Sequence, residues 1–310
     1  MIFLYILLGL LVLYIIFAVF PAIFLFHFIF SRKDNSPKLT ERDLIGTRYE
    51  PYMQELVAAD RFIRSKITGK VKITARDGEI MTGDYLDNGS ENTVIFVHGF
   101  CGNPISNFCL QARHLYDMGF NELFINQRAH GESGGKRHGL GLLEQYDVLK
   151  WIELEEEKPN VKSILLYGSS MGGASIAYAS DKIKSEKVKG MVIDCAFSSV
   201  GKQLEYDSKK RHIPPFLTLP IIRLIARALL KEDIYTPCGR SLAKTTIPAL
   251  FIHGTGDITV PYESGIENYN ACASEKTLIS VEGAQHIVDY AAGEDQTKEG
   301  LKQFITDHIK

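Results

Sequence analysis

The sequence predicts an α/β fold built on a doubly wound, mostly parallel sheet, preceded by a membrane-spanning helix and interrupted by a helical insertion. Short apolar runs alternate with helical stretches from residue 70 onward, the signature of a parallel sheet with helices on both faces. Residues 1–30 contain no Asp, Glu, Lys or Arg. A long gap separates the apolar run at Met191 from the one at Ala249, enough to hold an inserted cap at about 198–245. Hydrophobic residues make up 45% and charged residues 23% of the 310-residue chain, which excludes a disordered tail and a disulfide-dense mini-protein. A formal charge of −2 argues against a nucleic-acid partner.

A spanning helix needs ~20 apolar residues, and Met1–Phe20 meets that requirement. Pro21 then offers a kink or a break, with residues 22–30 extending the span or lying in the interface. A cleaved signal peptide and a buried core helix are the alternatives. No Lys or Arg precedes the run, and the run exceeds a usual signal core. Arg32, Lys33 and Lys38 follow it, so the positive-inside bias places the remainder of this single-pass chain in the cytoplasm. The five cysteines agree: Cys101, Cys109, Cys195, Cys238 and Cys272 are odd in number and show no CxxC spacing, so they read as reduced thiols without a metal.

Residues 31–69, with Pro37, Gly46 and Pro51, read as a linker with short helices. The main domain is expected over 70–310. Val71–Ala75 and Ile80–Tyr85 flank Arg76-Asp77-Gly78-Glu79, a hairpin pattern. Thr93–Val97, Leu123–Asn126, Ser163–Tyr167, Met191–Ile193, Ala249–Ile252 and Thr277–Val281 suit strands buried on both faces. Helices are expected at about 104–118, 141–157, 171–186, 262–273 and 296–309.

Gly168-Ser169-Ser170-Met171-Gly172 follows one such strand and opens a helix. A sharp strand-to-helix turn exposes its central side chain, and flanking glycines remove Cβ clashes there. Ser170 is therefore the candidate nucleophile, with Ser169 off the central position. A serine hydroxyl needs a base with a pKa near neutrality and a group that fixes the imidazole tautomer. His286, in Gly283-Ala284-Gln285-His286, follows the last strand by a short loop and reaches the same sheet edge. Asp257 follows the strand ending near His253 and is the favoured orienting acid; Asp194, at the end of the preceding strand, is the competitor. Asp289 lies too close after His286 to be a natural choice. The tetrahedral oxyanion needs backbone donors. Met171 N–H and Phe100 N–H, the latter in His98-Gly99-Phe100-Cys101-Gly102-Asn103, are the candidates.

His98-Gly99-Phe100, Arg128-Ala129-His130-Gly131-Glu132-Ser133, Gly168-x-Ser170-x-Gly172, Asp257-Ile258-Thr259-Val260-Pro261 and Gly283-Ala284-Gln285-His286 together resemble the α/β-hydrolase superfamily, from about residue 70 to the C-terminus. Within it, the chain is similar to bacterial serine aminopeptidase-like and lysophospholipase-like hydrolases. The resemblance implies an α/β-hydrolase fold and a Ser–acid–His order along the chain. One motif departs: members often read Asp-x-Arg-Gly-His-Gly where this chain has Asn126-Gln127-Arg128-Ala129-His130-Gly131. His130 is accordingly expected to be structural.

These readings combine into a serine hydrolase acting on an ester or thioester of an acyl or lipid-like substrate, with no metal or organic cofactor. A serine aminopeptidase with the same triad is the alternative; Glu205, Asp207, Glu232 and Asp233 are available for a free α-amine. A non-enzymatic membrane-tethered binding module is a third reading. The cap is expected to form a lid over Ser170. Its apolar stretch Phe216–Leu230, with Arg223 and Arg227 on one face and Lys209, Lys210 and Arg211 nearby, reads either as an acyl-chain wall touching an anionic bilayer or as an amphipathic helix packed on its own domain. Oligomeric state is left open.

Overall fold

The protein is described from a computed structural model covering residues 1–33 and 39–309. Pro37 and Lys38 lie outside the described residues. Eight strands form one sheet: β1 (Gly69–Thr74), β2 (Ile80–Leu86), β3 (Asn92–Val97), β4 (Asn121–Ile125), β5 (Ser163–Ser169), β6 (Val188–Asp194), β7 (Ala249–Gly254) and β8 (Lys276–Val281). Their order is β1-β2-β4-β3-β5-β6-β7-β8. β1 and β2 pair antiparallel, β2 pairs antiparallel with β4, and every later pairing is parallel. β3 has β4 on one side and β5 on the other, so the strand order reverses there and a crevice opens at the carboxyl ends of β3 and β5.

The parallel strands are apolar on both faces because helices cover both. Ile95 and Val97 of β3 enter one core, while Val94 and Phe96 enter the other. β5 repeats the alternation with Ile164 and Leu166 against Leu165 and Tyr167. The covering helices include Cys109–Asp117, Glu144–Glu156, Met171–Ala179, Tyr262–Ala271 and Glu294–His308. Two differ from the sequence expectation for local reasons. The helix expected from 104 begins at Cys109, since Asn103 Oδ1 accepts the N–H groups of Ile105 and Ser106 and holds that stretch in a turn. The helix expected to reach 186 ends at Ala179, and the Ser180 hydroxyl donates back to the Ala177 carbonyl at 2.8 Å.

The N-terminal helix Ile2–Phe30 runs 29 residues without a break. Pro21 lacks an N–H and crowds the preceding turn. The turn just before it, Ile15–Val19, is wound as a π-helix, which absorbs the mismatch and leaves the helix continuous. Ala18, Ala22, Phe26 and Phe30, spaced by four, form its buried stripe. That stripe packs against the helix Pro215–Leu229, one of three helices between β6 and β7 with Val200–Lys210 and Gly239–Leu242. Beyond Phe30 the chain bridges onto the 128–138 loop: Ser31 pairs with Arg137 and Lys33 with His130. Residues from 39 onward form a one-turn helix, Glu41–Leu44, and a longer helix, Met53–Lys66, packed on Cys109–Asp117.

The motif that departs from the hydrolase pattern carries a buried ion pair. Arg128, 4% exposed, donates Nε–H and Nη2–H to the two oxygens of Asp147 at 2.6 and 2.8 Å, and Nη1–H to Asp77 at 2.9 Å. Removing one partner of such a pair strands the other charge. Arg128→Ala is expected to cost about 3–5 kcal/mol of stability. Thermal unfolding of the detergent-solubilised chain reads this, and a change within the ~0.5 kcal/mol of an ordinary surface substitution would contradict it.

Candidate active site

Three loops at the carboxyl edge of the sheet bring the candidate residues together. β5 ends at Ser169, and Ser170 caps the helix Met171–Ala179 with φ +54° and ψ −117°. This strained conformation is tolerated because the flanking backbone is packed too tightly for side chains. A Cβ on Gly168 would sit 2.5 Å from the Gly172 carbonyl oxygen, and one on Gly172 would overlap the Val97 carbonyl. Asp257 follows β7 and His286 follows β8.

Ser170, Asp257 and His286 are 8%, 7% and 4% exposed. The Asp257 carboxylate accepts the backbone N–H groups of Thr259 and Val260 through Oδ1 at 2.7 and 2.9 Å. Its Oδ2 accepts Nδ1–H of His286 at 2.6 Å and lies 3.3 Å from His253 Nε2. Burial opposes ionisation, but the hydrogen bonds from His253 and His286 and the Val260 N–H outweigh it, holding the carboxyl well below its usual range. An ionised Asp257 accepts only, so the imidazole proton resides on Nδ1 and Nε2 keeps its lone pair. That lone pair faces Ser170, whose Oγ–H donates to Nε2 at 2.9 Å.

Asp194, the competing acid, is turned elsewhere. Its Oδ2 accepts the Ser169 hydroxyl at 3.3 Å. It is fully buried beside Asp289, and these two carboxylates and the Cys195 thiol have ligand atoms within 4.8 Å of one another. Burial pushes the Asp194 carboxyl up to about 6, despite the hydrogen bond from Asp289. Burial and the neighbouring Asp194 push the Asp289 carboxyl well above its ordinary value. Asp289 thus forms an acid pair behind His286, a role the sequence reading did not assign.

The loop after β3 lies against Ser170: a Cβ on Gly99 would be 3.3 Å from Ser170 Cβ. Phe100 is therefore held beside Ser170, with its ring edge-on to His130 and His138. Met171 begins a helix, where the first N–H groups lack intrahelical partners. Two neutral histidines fasten this loop. His98 donates Nδ1–H to the Gly99 carbonyl at 2.7 Å and accepts the Gln127 N–H on Nε2 at 3.0 Å. His130 donates Nδ1–H to the Arg128 carbonyl at 2.9 Å and accepts the Cys101 N–H at 3.3 Å. Burial pushes them down to about 3 and about 4, so both stay uncharged. His130 is a loop fastener here and does not touch Ser170.

A cavity of about 470 Å³ opens onto Ser170 and His286. Its wall is largely apolar, with Leu39, Leu44, Leu56, Leu110, Val288 and Ala291. Residues 39–56 supply one side of it, a contribution the sequence reading missed because that stretch is polar, mixed and without periodicity. The segment 198–245, expected as a lid over Ser170, is not among the lining residues described. Its helix Val200–Lys210 instead props the Asp257 loop: Gln203 donates to the Thr259 carbonyl at 2.8 Å, and Tyr206 to the Ile258 carbonyl at 3.1 Å.

The comparisons agree with this architecture. A family model described as "alpha/beta hydrolase fold" matches residues 92–217. An uncharacterized protein of Bacillus subtilis, YqkD, is 28% identical over 69% of this chain and 71% of its own. An uncharacterized membrane protein of Saccharomyces cerevisiae, YNL320W, is 24% identical over 63% of this chain and 64% of its own. The esterase Pf2001 of Pyrococcus furiosus superposes with a TM-score of 0.67 at 22% identity, covering 90% of this chain and 100% of that one. With a sheet of this order and a family match running from β3 into the second helix of the β6–β7 insertion, the chain has the α/β-hydrolase fold and carries an α/β-hydrolase domain.

Proposed function

We propose that the protein is a membrane-anchored serine hydrolase of carboxylic esters or thioesters with an acyl or lipid-like part. The observation that carries this reading is the unbroken series Ser170 Oγ, His286 Nε2, His286 Nδ1, Asp257 Oδ2 at the mouth of an apolar cavity. His286 Nε2 takes the Ser170 proton as Oγ bonds to the substrate carbonyl carbon. The carbonyl electron pair moves onto oxygen, where the N–H groups of Phe100 and Met171 receive it. Collapse expels the alcohol or thiol, which leaves with the proton from Nε2. Water, deprotonated by the same nitrogen, then releases the acid and restores Ser170. Asp257 stays ionised throughout and stabilises the imidazolium.

The cavity favours an acyl group over a free α-amine. Asp43 is its acidic lining residue, and that carboxylate already accepts the Thr40 N–H and hydroxyl at 2.8 and 2.6 Å. Asp233 is held by Arg223 and Arg227, and Glu232 accepts the Tyr146 hydroxyl. The helix Ile2–Phe30 supports single-pass anchoring, and Arg32 and Lys33 at its end support a cytoplasmic domain.

A substrate profile of the full-length chain in detergent tests the reading. p-Nitrophenyl acyl esters should turn over, with aminoacyl p-nitroanilides at least ~100-fold slower in kcat/KM, a gap of about 2.7 kcal/mol. Preference for the aminoacyl amides would establish the peptidase reading instead. Failure to turn over either class or to label Ser170 with a fluorophosphonate would favour the binding module.

A further inference from the structure

The helix Pro215–Leu229 is apolar on the side that its own domain leaves uncovered. Thr218, Leu219, Ile222 and Ala226 face inward and are buried. On the opposite side, Phe216, Pro220 and Leu224 form a stripe at intervals of four, with Phe216 76% and Leu224 63% exposed. A helix in water ordinarily turns charged or polar residues outward, and an apolar outer face marks an interaction surface.

The two arginines of this helix are partly exposed but paired with a carboxylate. Arg223 and Arg227 both bind Asp233, through Arg223 Nε–H to Oδ1 at 2.8 Å and Arg227 Nη2–H to Oδ2 at 2.5 Å. Exposed Arg211 precedes the helix and exposed Lys231 follows it, so a cation stands at each end of it. The helix also packs alongside residues 15–30 of the N-terminal helix, which is about 43 Å long at 1.5 Å per residue and so exceeds a ~30 Å hydrocarbon layer. The part of the anchor that reaches the membrane boundary is therefore the part that holds this helix.

We infer that the outer face of Pro215–Leu229 is a second membrane-contacting element, seated at the boundary of headgroups and acyl chains on the leaflet nearest the domain. The occupant of the face is phospholipid. Its apolar stripe enters the acyl region while Arg211 and Lys231 remain among the headgroups. With the anchor it makes two contacts, which fix the tilt of the hydrolase domain over the bilayer. This inference rests on the reading of Ile2–Phe30 as a membrane span.

The test uses full-length protein reconstituted in phosphatidylcholine vesicles whose acyl chains carry bromine either near the headgroup end or near the chain terminus. Tryptophan is introduced singly as Leu224→Trp, Phe216→Trp or Leu10→Trp, and the fluorescence gained over the wild type, with its buried Trp151, is followed. Both insertion-helix variants replace exposed residues, so the fold should tolerate them. Their tryptophans should be quenched, most strongly by bromine near the headgroup end, because interfacial helices sit ~5–10 Å deep. Leu10→Trp should be quenched by the deeper bromine. Quenching at 10 with a water-exposed, unquenched signal at both 216 and 224 overturns the inference and leaves the anchor standing. A blue-shifted but unquenched signal at 224 shows protein, such as a second copy of the chain, on the face and overturns it too. Absence of quenching at all three positions removes the membrane span and the inference with it.

Discussion

Ser170→Ala is expected to lower kcat for p-nitrophenyl ester hydrolysis by ~10⁶-fold, the scale seen when a triad nucleophile is removed. In the proposed route the hydroxyl oxygen is the atom that bonds to the acyl carbon, and the adjacent serine does not stand in for it. Ser169, adjacent in sequence, points to Asp194. The fold should survive: Ser170 donates its hydroxyl to His286 alone among the side-chain hydrogen bonds described. Ser170→Gly adds a second reading. Glycine adopts φ +54° without Cβ strain, so that variant should be as inactive yet unfold at a higher temperature, by up to the ~1–3 kcal/mol that such strain stores. Alanine keeps the strain and should not gain. Activity above about one tenth of wild type in either variant would end the serine assignment, since a single decade is only ~1.4 kcal/mol of barrier.

Asp257→Asn should lower kcat by ~10⁴-fold with the fold intact, because an amide no longer fixes the imidazole proton on Nδ1. Asp194→Asn is its control. Asp194 belongs to the buried carboxylate pair with Asp289, and an amide there removes a buried ionisable group without touching His286. Its effect on kcat should stay within ~10-fold, about 1.4 kcal/mol. Burst kinetics with a p-nitrophenyl ester separate acylation from deacylation in both variants. A larger loss from the Asp194 change than from the Asp257 change would reverse the identity of the orienting acid.

Much of the fold was readable because its signals are short. A buried parallel strand is a run such as Val94–Val97, and its apolar character does not depend on which strands it pairs with. Ser170 was readable because a strand, a glycine pair and a helix start are contiguous in sequence. His286 and Asp257 followed from their places after the last two strands. The Asp194–Asp289 pair was not readable: it joins residues 95 positions apart (289 − 194) whose only signal is their burial. The cavity wall at 39–56 was equally silent, since Leu39, Leu44 and Leu56 come from an irregular stretch, a one-turn helix and the first turn of Met53–Lys66, and share no single period of 2 or 3.6. The turn before Pro21 had a visible cause but two outcomes, a break or an adjusted winding, and packing of Ala22, Phe26 and Phe30 on the insertion favours continuity.

Ala22, Phe26 and Phe30 are fully enclosed members of the same hydrophobic cluster that contains Leu219, Ile222 and Ala226. The front of the chain is therefore no detachable tether. Cutting it away at residue 31 to obtain a water-soluble enzyme would hollow out one flank of the domain and bare a greasy helix, so handling the intact polypeptide in a bilayer mimic is the gentler route to an authentic catalyst.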